Sequence, residues 1–217
     1  QHSIFSGNIV SLIMFINYIF FIKKNKSMSD LRKYLRSKGC ERVIQGSCYR
    51  VDKQKELLKQ LTHNKKTGLE IGPNAGDSAY LFLKQGCVLT SCDLLKFPYS
   101  YHTLDFLRDK YNGNFFIVKG DSTITLPQLK DKYDFIYVDG GHSYSVVKQD
   151  LKNIVPLCHK DTLIIIDDYV VNPDYIRVFN EGVIQAVAEF DEFEVIGQED
   201  FSAGRGMIWG KLSQSIA

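Results

Sequence analysis

From Gly68 onward, short apolar runs alternate with longer stretches whose apolar positions recur at helical spacing. The runs Gly68–Ile71, Cys87–Cys92, Phe115–Val118, Phe135–Val138 and Thr162–Ile166 are four to six residues long, the length of a buried strand. Between them lie helical stretches: Asp77–Gln85, closed by Gly86; one with Leu104, Leu107 and Tyr111 on one face, stopped by Asn112-Gly113; and roughly Ser143 to Leu157. Another helix, about Asp174 to Phe190, precedes two closing strands near Phe193–Ile196 and Gly206–Leu212. The alternation predicts an α/β fold with a doubly wound, mainly parallel sheet covered on both faces. About ten residues, Gly197 to Gly206, separate the last two strands. That is too short for a helical crossover, so the final strand is expected to pair antiparallel. Upstream, helices are expected within residues 30–61: Asp30 to Ser37, and about Val51 to Leu61 with Leu57, Leu58 and Leu61 on one face.

The N-terminal end follows a different pattern. Residues 4–22 are strongly apolar and give way to Lys23-Lys24-Asn25-Lys26. A spanning helix needs ~20 apolar residues, and Ser6, Asn8, Ser11 and Asn17 interrupt this one. Two readings stand side by side. One is a membrane anchor whose trailing lysines hold the following domain in the cytoplasm. The other is a non-native extension ahead of Met28, a natural opening for a cytoplasmic enzyme. A cleavable signal peptide fits badly, because the positive charge follows the apolar run and no small-x-small site appears. The organisation expected is therefore an apolar segment at 1–27 and one domain over 28–217, with its helices at 30–61 leading.

Composition narrows the function classes. Apolar residues make up 44% and charged residues 24%, as in an ordinary globular domain, and the net charge is only +2. Lysines and arginines are scattered among acids, so no nucleic-acid partner is expected. The five cysteines form no Cys-x-x-Cys pair and no metal cluster, which points to reduced, structural thiols.

The chemistry gathers where the strands end. Glu70, Asp93, Asp121, Asp139, Asp167 and Asp168 all stand at or just past a strand's carboxyl end, where open α/β sheets bind ligands. Any one of them is explained as a cap or turn residue, and Asp77, Asp131 and Asp161 are read that way. Six together favour function. After the first strand, Gly72 and Gly76 bracket a turn that brings backbone N–H groups toward a ligand. Their spacing is neither Gly-x-Gly-x-x-Gly nor a Walker loop. Asp93, 21 residues after Gly72, stands where an acid accepts from ribose hydroxyls. Either NAD or S-adenosylmethionine satisfies that arrangement; the glycine spacing and the antiparallel last strand disfavour NAD.

Five segments together carry a family resemblance: Leu69-Glu-Ile-Gly-Pro-Asn-Ala-Gly76, Ser91-Cys-Asp93, Lys119-Gly-Asp-Ser122, Tyr133-Asp-Phe-Ile-Tyr-Val-Asp-Gly-Gly-His-Ser-Tyr144 and Ile164-Ile-Ile-Asp-Asp-Tyr169. Over about residues 45–212 the chain resembles class I S-adenosylmethionine-dependent methyltransferases. It is most similar to the small-molecule and sugar O-methyltransferase branch, whose fourth strand reads Val-Asp-Gly-x-His-x-Tyr before a helix Val-x-x-Asp-Leu, here Val146, Val147, Asp150 and Leu151. The resemblance implies a Rossmann-like seven-stranded sheet of order 3-2-1-4-5-7-6 with strand 7 antiparallel. It implies that Glu70, Gly72 and Gly76, with Asn74 in the same turn, hold the methionine part of the methyl donor. Asp93 would take the ribose, while Asp121 and Ser122 would border the adenine. Two departures are Pro73, which removes one N–H from the turn, and Gly141, where an acid is common before the histidine.

Two catalytic routes are open. Asp139, Asp167 and Asp168 would converge and hold a divalent cation such as Mg²⁺, because three adjoining carboxylates repel unless neutralised. Alternatively His142 removes the acceptor's proton beside Asp139, with no metal. The acceptor is expected to be a small molecule or sugar hydroxyl. The competing readings are an NAD-dependent nucleotide-sugar oxidoreductase and a catalytically inactive binding module of the same fold. The sequence leaves the oligomeric state open, a homodimer included.

Overall fold

The computed structural model describes residues 29–40 and 48–213. The apolar segment 1–27 lies outside them. Among the described residues, no helix is long and apolar enough to cross a membrane. The chain divides into two compact units, residues 1–42 and 43–217. In the first, helix α1 (Asp30–Ser37) starts at Ser29, whose hydroxyl accepts from the Arg32 N–H at 3.2 Å and so satisfies one orphan donor of the first turn.

In the second unit a 3-10 turn (Cys48–Arg50) leads into α2 (Asp52–Leu61), after which strand and helix alternate. The order is β1 (Thr67–Ile71), α3 (Asp77–Lys84), β2 (Val88–Asp93), α4 (Pro98–Lys110), β3 (Phe115–Lys119), the single turn α5 (Ser122–Thr125) and β4 (Tyr133–Val138). It continues through α6 (Tyr144–Ile154), β5 (Cys158–Asp167), α7 (Val178–Ala188), β6 (Phe193–Ser202) and β7 (Arg205–Leu212). The strands form one seven-stranded sheet of order β3-β2-β1-β4-β5-β7-β6. β1 to β5 pair in parallel and β7 runs antiparallel to both neighbours, as the sequence pattern requires.

Parallel strands covered on both faces need apolar side chains on both, and β1, β4 and β5 supply them. One face carries Leu69, Ile71, Ile136, Val138, Ile164 and Ile166. It packs against Val147, Leu151 and Ile154 of α6 and Val183, Ala186 and Val187 of α7, which recur at helical spacing. On the opposite side, Phe82 of α3 meets Phe135 and Tyr137 of β4 edge-on, with centroids 4.9 and 5.6 Å away. Gly68 makes room there, since a Cβ would stand 2.2 Å from the Phe135 ring.

Two strands outrun their sequence patterns. β5 begins at Cys158 rather than Thr162. β6 extends to Ser202, so β6 and β7 form a tight hairpin instead of strands ten residues apart. Gly197 hides this continuity. It interrupts the apolar run, yet its missing side chain accommodates the Trp209 ring at a register shift between Val195 and Gly197.

Candidate active site

A cavity of about 340 Å³ opens at the carboxyl ends of β1, β2 and β4. It follows the expected strand-end crevice of an open α/β sheet. Gly72, Asn74 and Asp93 line it, as do Ser122, Asp139, His142 and Asp168.

The glycine turn is built for close approach. Gly72 has φ +84°, and a Cβ there would fall 2.1 Å from the Asp139 carbonyl oxygen. β1 and β4 can therefore close on each other at the cavity floor only because residue 72 is glycine. Gly76 adopts φ 80° and caps α3 without lining the cavity. Asn74, also left-handed at φ 49°, accepts from the Tyr99 hydroxyl at 2.6 Å. Its backbone N–H donates to Asp93 Oδ2 at 3.1 Å, while the Leu95 N–H donates to Oδ1 at 2.5 Å. Each Asp93 oxygen thus keeps a free lone pair for a further donor, such as a ribose hydroxyl.

Glu70 lies beneath the wall rather than in it. Its side chain is fully buried and accepts from the Ser78 hydroxyl at 2.5 Å and the Ser91 hydroxyl at 2.8 Å. Burial, with a smaller push from Asp93 and against both serine hydrogen bonds, raises its carboxyl to about 7. Its place in the structure is a clamp joining β1, α3 and β2. Asp121 is also off the wall. It is exposed, and its side chain accepts from the Thr123 N–H at 3.0 Å as the cap of α5. Ser122 does reach the cavity and donates to Asp150 Oδ2 at 3.0 Å.

Asp139 and the acids of β5 do not form the expected trio. Burial, then Asp167, Asp168 and Glu70, hold the Asp139 carboxyl well above the usual carboxylate range. Asp167, however, is turned inward. Gln54 Nε2 donates to both its oxygens at 2.9 Å, and the Tyr137 hydroxyl donates to Oδ2 at 2.5 Å. The group that joins Asp139 and Asp168 is His142. Ligand atoms of Asp139, His142 and Asp168 all lie within 4.8 Å of one another. His142 Nε2 stands 3.0 Å from Asp168 Oδ2, which raises the histidine's pKa against the opposing effect of burial. The Phe179 ring sits 5.5 Å from the imidazole, and Gly182 lets α7 pass under the backbone of His142–Tyr144.

Several wall residues escaped the sequence reading. Asp77, read as a cap, is buried and lines the cavity together with Cys48, Lys96 and Phe97. Its position directly after the glycine turn was the available signal. Burial, followed by Asp77, Asp167, Asp139 and Glu70, pushes the Cys48 thiol far up, so it is an inert wall group. All five cysteines are free thiols.

Residues 69–169 match the family model described as a methyltransferase domain. No curated protein matches the chain. Among solved structures, the fold is similar to a Staphylococcus aureus protein provisionally described as a caffeoyl-CoA O-methyltransferase. That match has TM-score 0.64 and 18% identity over 90% of this chain and 98% of that one. It is also similar to a Podospora anserina methyltransferase solved with S-adenosylhomocysteine, with TM-score 0.63 and 14% identity over 99% of both chains. A third is the Burkholderia thailandensis 1,6-didemethyltoxoflavin-N1-methyltransferase, with TM-score 0.57 and 15% identity over 74% of this chain and 76% of that one.

Proposed function

We propose that this chain, a class I S-adenosylmethionine-dependent methyltransferase whose domain model spans residues 69–169, methylates a hydroxyl oxygen on a small molecule or sugar. The observation that carries the reading is the His142–Asp168 pair at the wall of the cavity that Gly72 and Asp93 also line. The cavity fits the methyl donor: Asp93 has acceptor capacity at the nucleoside end, and the Gly72 turn leaves no side chain in the way. S-adenosylmethionine, when bound, supplies an electrophilic methyl group on a sulfonium.

The chain's own residues then have distinct tasks. Asp93 accepts from ribose hydroxyls, Ser122 borders the adenine, and the Gly72–Asn74 turn walls the methionine end. Its N–H groups are spent on the protein, that of Gly72 on the Cys92 carbonyl and that of Asn74 on Asp93, so the turn contributes shape rather than donors. Glu70 and Gly76 act from behind by fixing the turn, and Asp121 caps the helix that carries Ser122. A hydroxyl must lose its proton as it is alkylated, and His142 takes it. Because Nε2 faces Asp168, the accepting atom is Nδ1, and Asp168 fixes the ring and stabilises the imidazolium.

One observation favours a second route. Asp139, His142 and Asp168 could share a divalent cation, which would offset the neighbouring carboxylates that, after burial, push the Asp139 carboxyl up. The residues fit: two carboxylates and an imidazole suit Mn²⁺ or Zn²⁺ better than Mg²⁺, which prefers oxygen alone. Such an ion would act as a Lewis acid toward the acceptor hydroxyl.

The test is methyl transfer from labelled S-adenosylmethionine to a panel of catechols, phenols and sugars, alongside calorimetry with S-adenosylhomocysteine and NAD⁺. Transfer that persists in excess chelator supports His142 as the base. Loss that Mn²⁺ restores supports the cation. Tight NAD⁺ binding without S-adenosylhomocysteine binding would overturn the methyltransfer reading in favour of an oxidoreductase.

A further inference from the structure

Asp168 meets His142 from an unfavourable backbone conformation. Its φ of 57° is left-handed, a conformation that is strained for an L-residue. Such a conformation persists only where its surroundings over-determine it. Here two buried amides do so, from opposite sides.

On one side the preceding residue is pinned by its side chain. Gln54, 1% exposed on α2, donates through Nε2 to both carboxylate oxygens of Asp167 at 2.9 Å. Gln54 is itself braced, since Arg205 Nη1 reaches its Oε1 at 3.4 Å. The Tyr137 hydroxyl adds a third bond to Asp167 at 2.5 Å. On the other side Asn180, fully buried on α7, donates through Nδ2 to the Asp168 carbonyl at 2.7 Å. Asn180 is held in turn by its Oδ1, which accepts from the Arg177 N–H at 2.9 Å. The side chain before the turn and the carbonyl of the turn itself are thus fixed by residues on two different helices. With both ends held, the Asp168 side chain leaves the turn where its Oδ2 stands 3.0 Å from His142 Nε2.

We propose that Gln54 and Asn180 are positioning residues that hold the Asp167–Asp168 turn in its left-handed form and so aim Asp168 at the His142 ring. Their catalytic meaning rests on the reading of His142 as proton acceptor, but their structural effect is measurable without it. A buried amide on α2 that served only to fasten the helix would leave the histidine untouched.

The experiment is ¹⁵N NMR of histidine-labelled full-length protein saturated with S-adenosylhomocysteine, with calorimetry of that ligand and thermal melting in parallel. The native protein should show His142 as a single Nε2–H tautomer at alkaline pH. Asp168→Asn marks loss of the carboxylate partner. Gln54→Met, which keeps the volume and removes the donor, should move His142 toward a mixture of tautomers while ligand affinity stays within about threefold, because neither amide touches the cavity. Asn180→Ser should do the same. If Gln54→Met does not fold, Tyr137→Phe loses only a hydroxyl and should shift the ring in the same direction by less. An unchanged His142 signal in folded variants that simply melt earlier would overturn the proposal. Full methyl transfer by Asp168→Asn would instead sink the proton-acceptor reading, leaving the positioning claim to the NMR result.

Discussion

Glu70→Gln tests whether the clamp beneath the glycine turn is a neutral acid. In the folded protein burial lifts the Glu70 carboxyl to about 7, against 4.5 for an unhindered glutamate. Between those two values the folded state holds a proton that the unfolded chain has released. The sign follows directly. A raised carboxyl pKa stabilises the fold at low pH, and that contribution is lost as pH rises from about 4.5 toward 7. The full difference, at 1.36 kcal/mol per pH unit, is about 3 kcal/mol. Glutamine keeps the shape, accepts from one serine and donates to the other, and does not titrate. Relative to Glu70→Gln, the native protein should therefore lose about 2 kcal/mol between pH 5.5 and 8.5. Urea unfolding of both proteins at each pH reads this as a difference of differences, which cancels groups that titrate alike in the two. Equal m-values are required for the comparison. Parallel profiles, with a gap constant to within about 0.5 kcal/mol, would refute the neutral clamp and require a Glu70 ionised at its ordinary pKa.

Three further outcomes follow from the same geometry. Gly72→Ala places a Cβ 2.1 Å from the Asp139 carbonyl at φ +84°, so it should destabilise by about 3 kcal/mol or more and abolish S-adenosylhomocysteine binding, as melting and calorimetry would show. Asp93→Asn removes a charged acceptor from the nucleoside end. It should weaken S-adenosylhomocysteine about 10- to 100-fold by calorimetry, in line with the ~1.5–3 kcal/mol of a hydrogen bond to a charged group. Gly182→Ala sets a Cβ 2.3 Å from the His142 carbonyl, so it should lower the melting temperature and shift the His142 ring signal, whereas Gly86→Ala, with open space around it but φ +86°, should only lower the melting temperature.

The fold was readable because local signals agreed with one another. Buried strands of β-branched residues, glycine-terminated helices and a short last connection pointed to a mainly parallel, doubly wound sheet with an antiparallel last strand, while the strand order itself was implied by the family resemblance. The strands that were cut short, β5 and β6, lie where a polar or glycine residue breaks the apolar run yet stays in the ladder through a tertiary contact. In β5 the polar run His159–Asp161 breaks the pattern, and Cys158 still pairs with Tyr133 across a register shift, where Thr162 donates to the Tyr133 carbonyl at 2.6 Å. The site was readable only in part, for a related reason. Strand-end position brought Asp93, Asp139, His142 and Asp168 to one cavity, since topology alone places them. What each carboxylate does depends on donors far away in sequence. Asp167 and Asp168 are neighbours, but a glutamine 113 positions upstream of Asp167 captures that side chain and leaves Asp168 facing the cavity. Nothing in the local pattern around Gln54 distinguishes it from the other polar residues of α2. Likewise Glu70 carries the expected motif, while its burial between two serines emerges only once α3 and β2 are packed.

The sheet order also sets a timetable. β1 has β2 on one side and β4 on the other, so β1, β2 and β3 can pair before β4 exists. At roughly 5–20 residues per second of synthesis, the stretch from Ile71 to Val138 keeps β1's inner edge unpaired for several seconds. That edge is a row of unpaired backbone groups, and the face beside it carries Leu69 and Ile71, side chains bound for the core. It is a sticky template for as long as it waits. The same vacancy that the arrival of β4 fills is where Gly72 meets Asp139, so the cavity floor closes only when this pairing is complete.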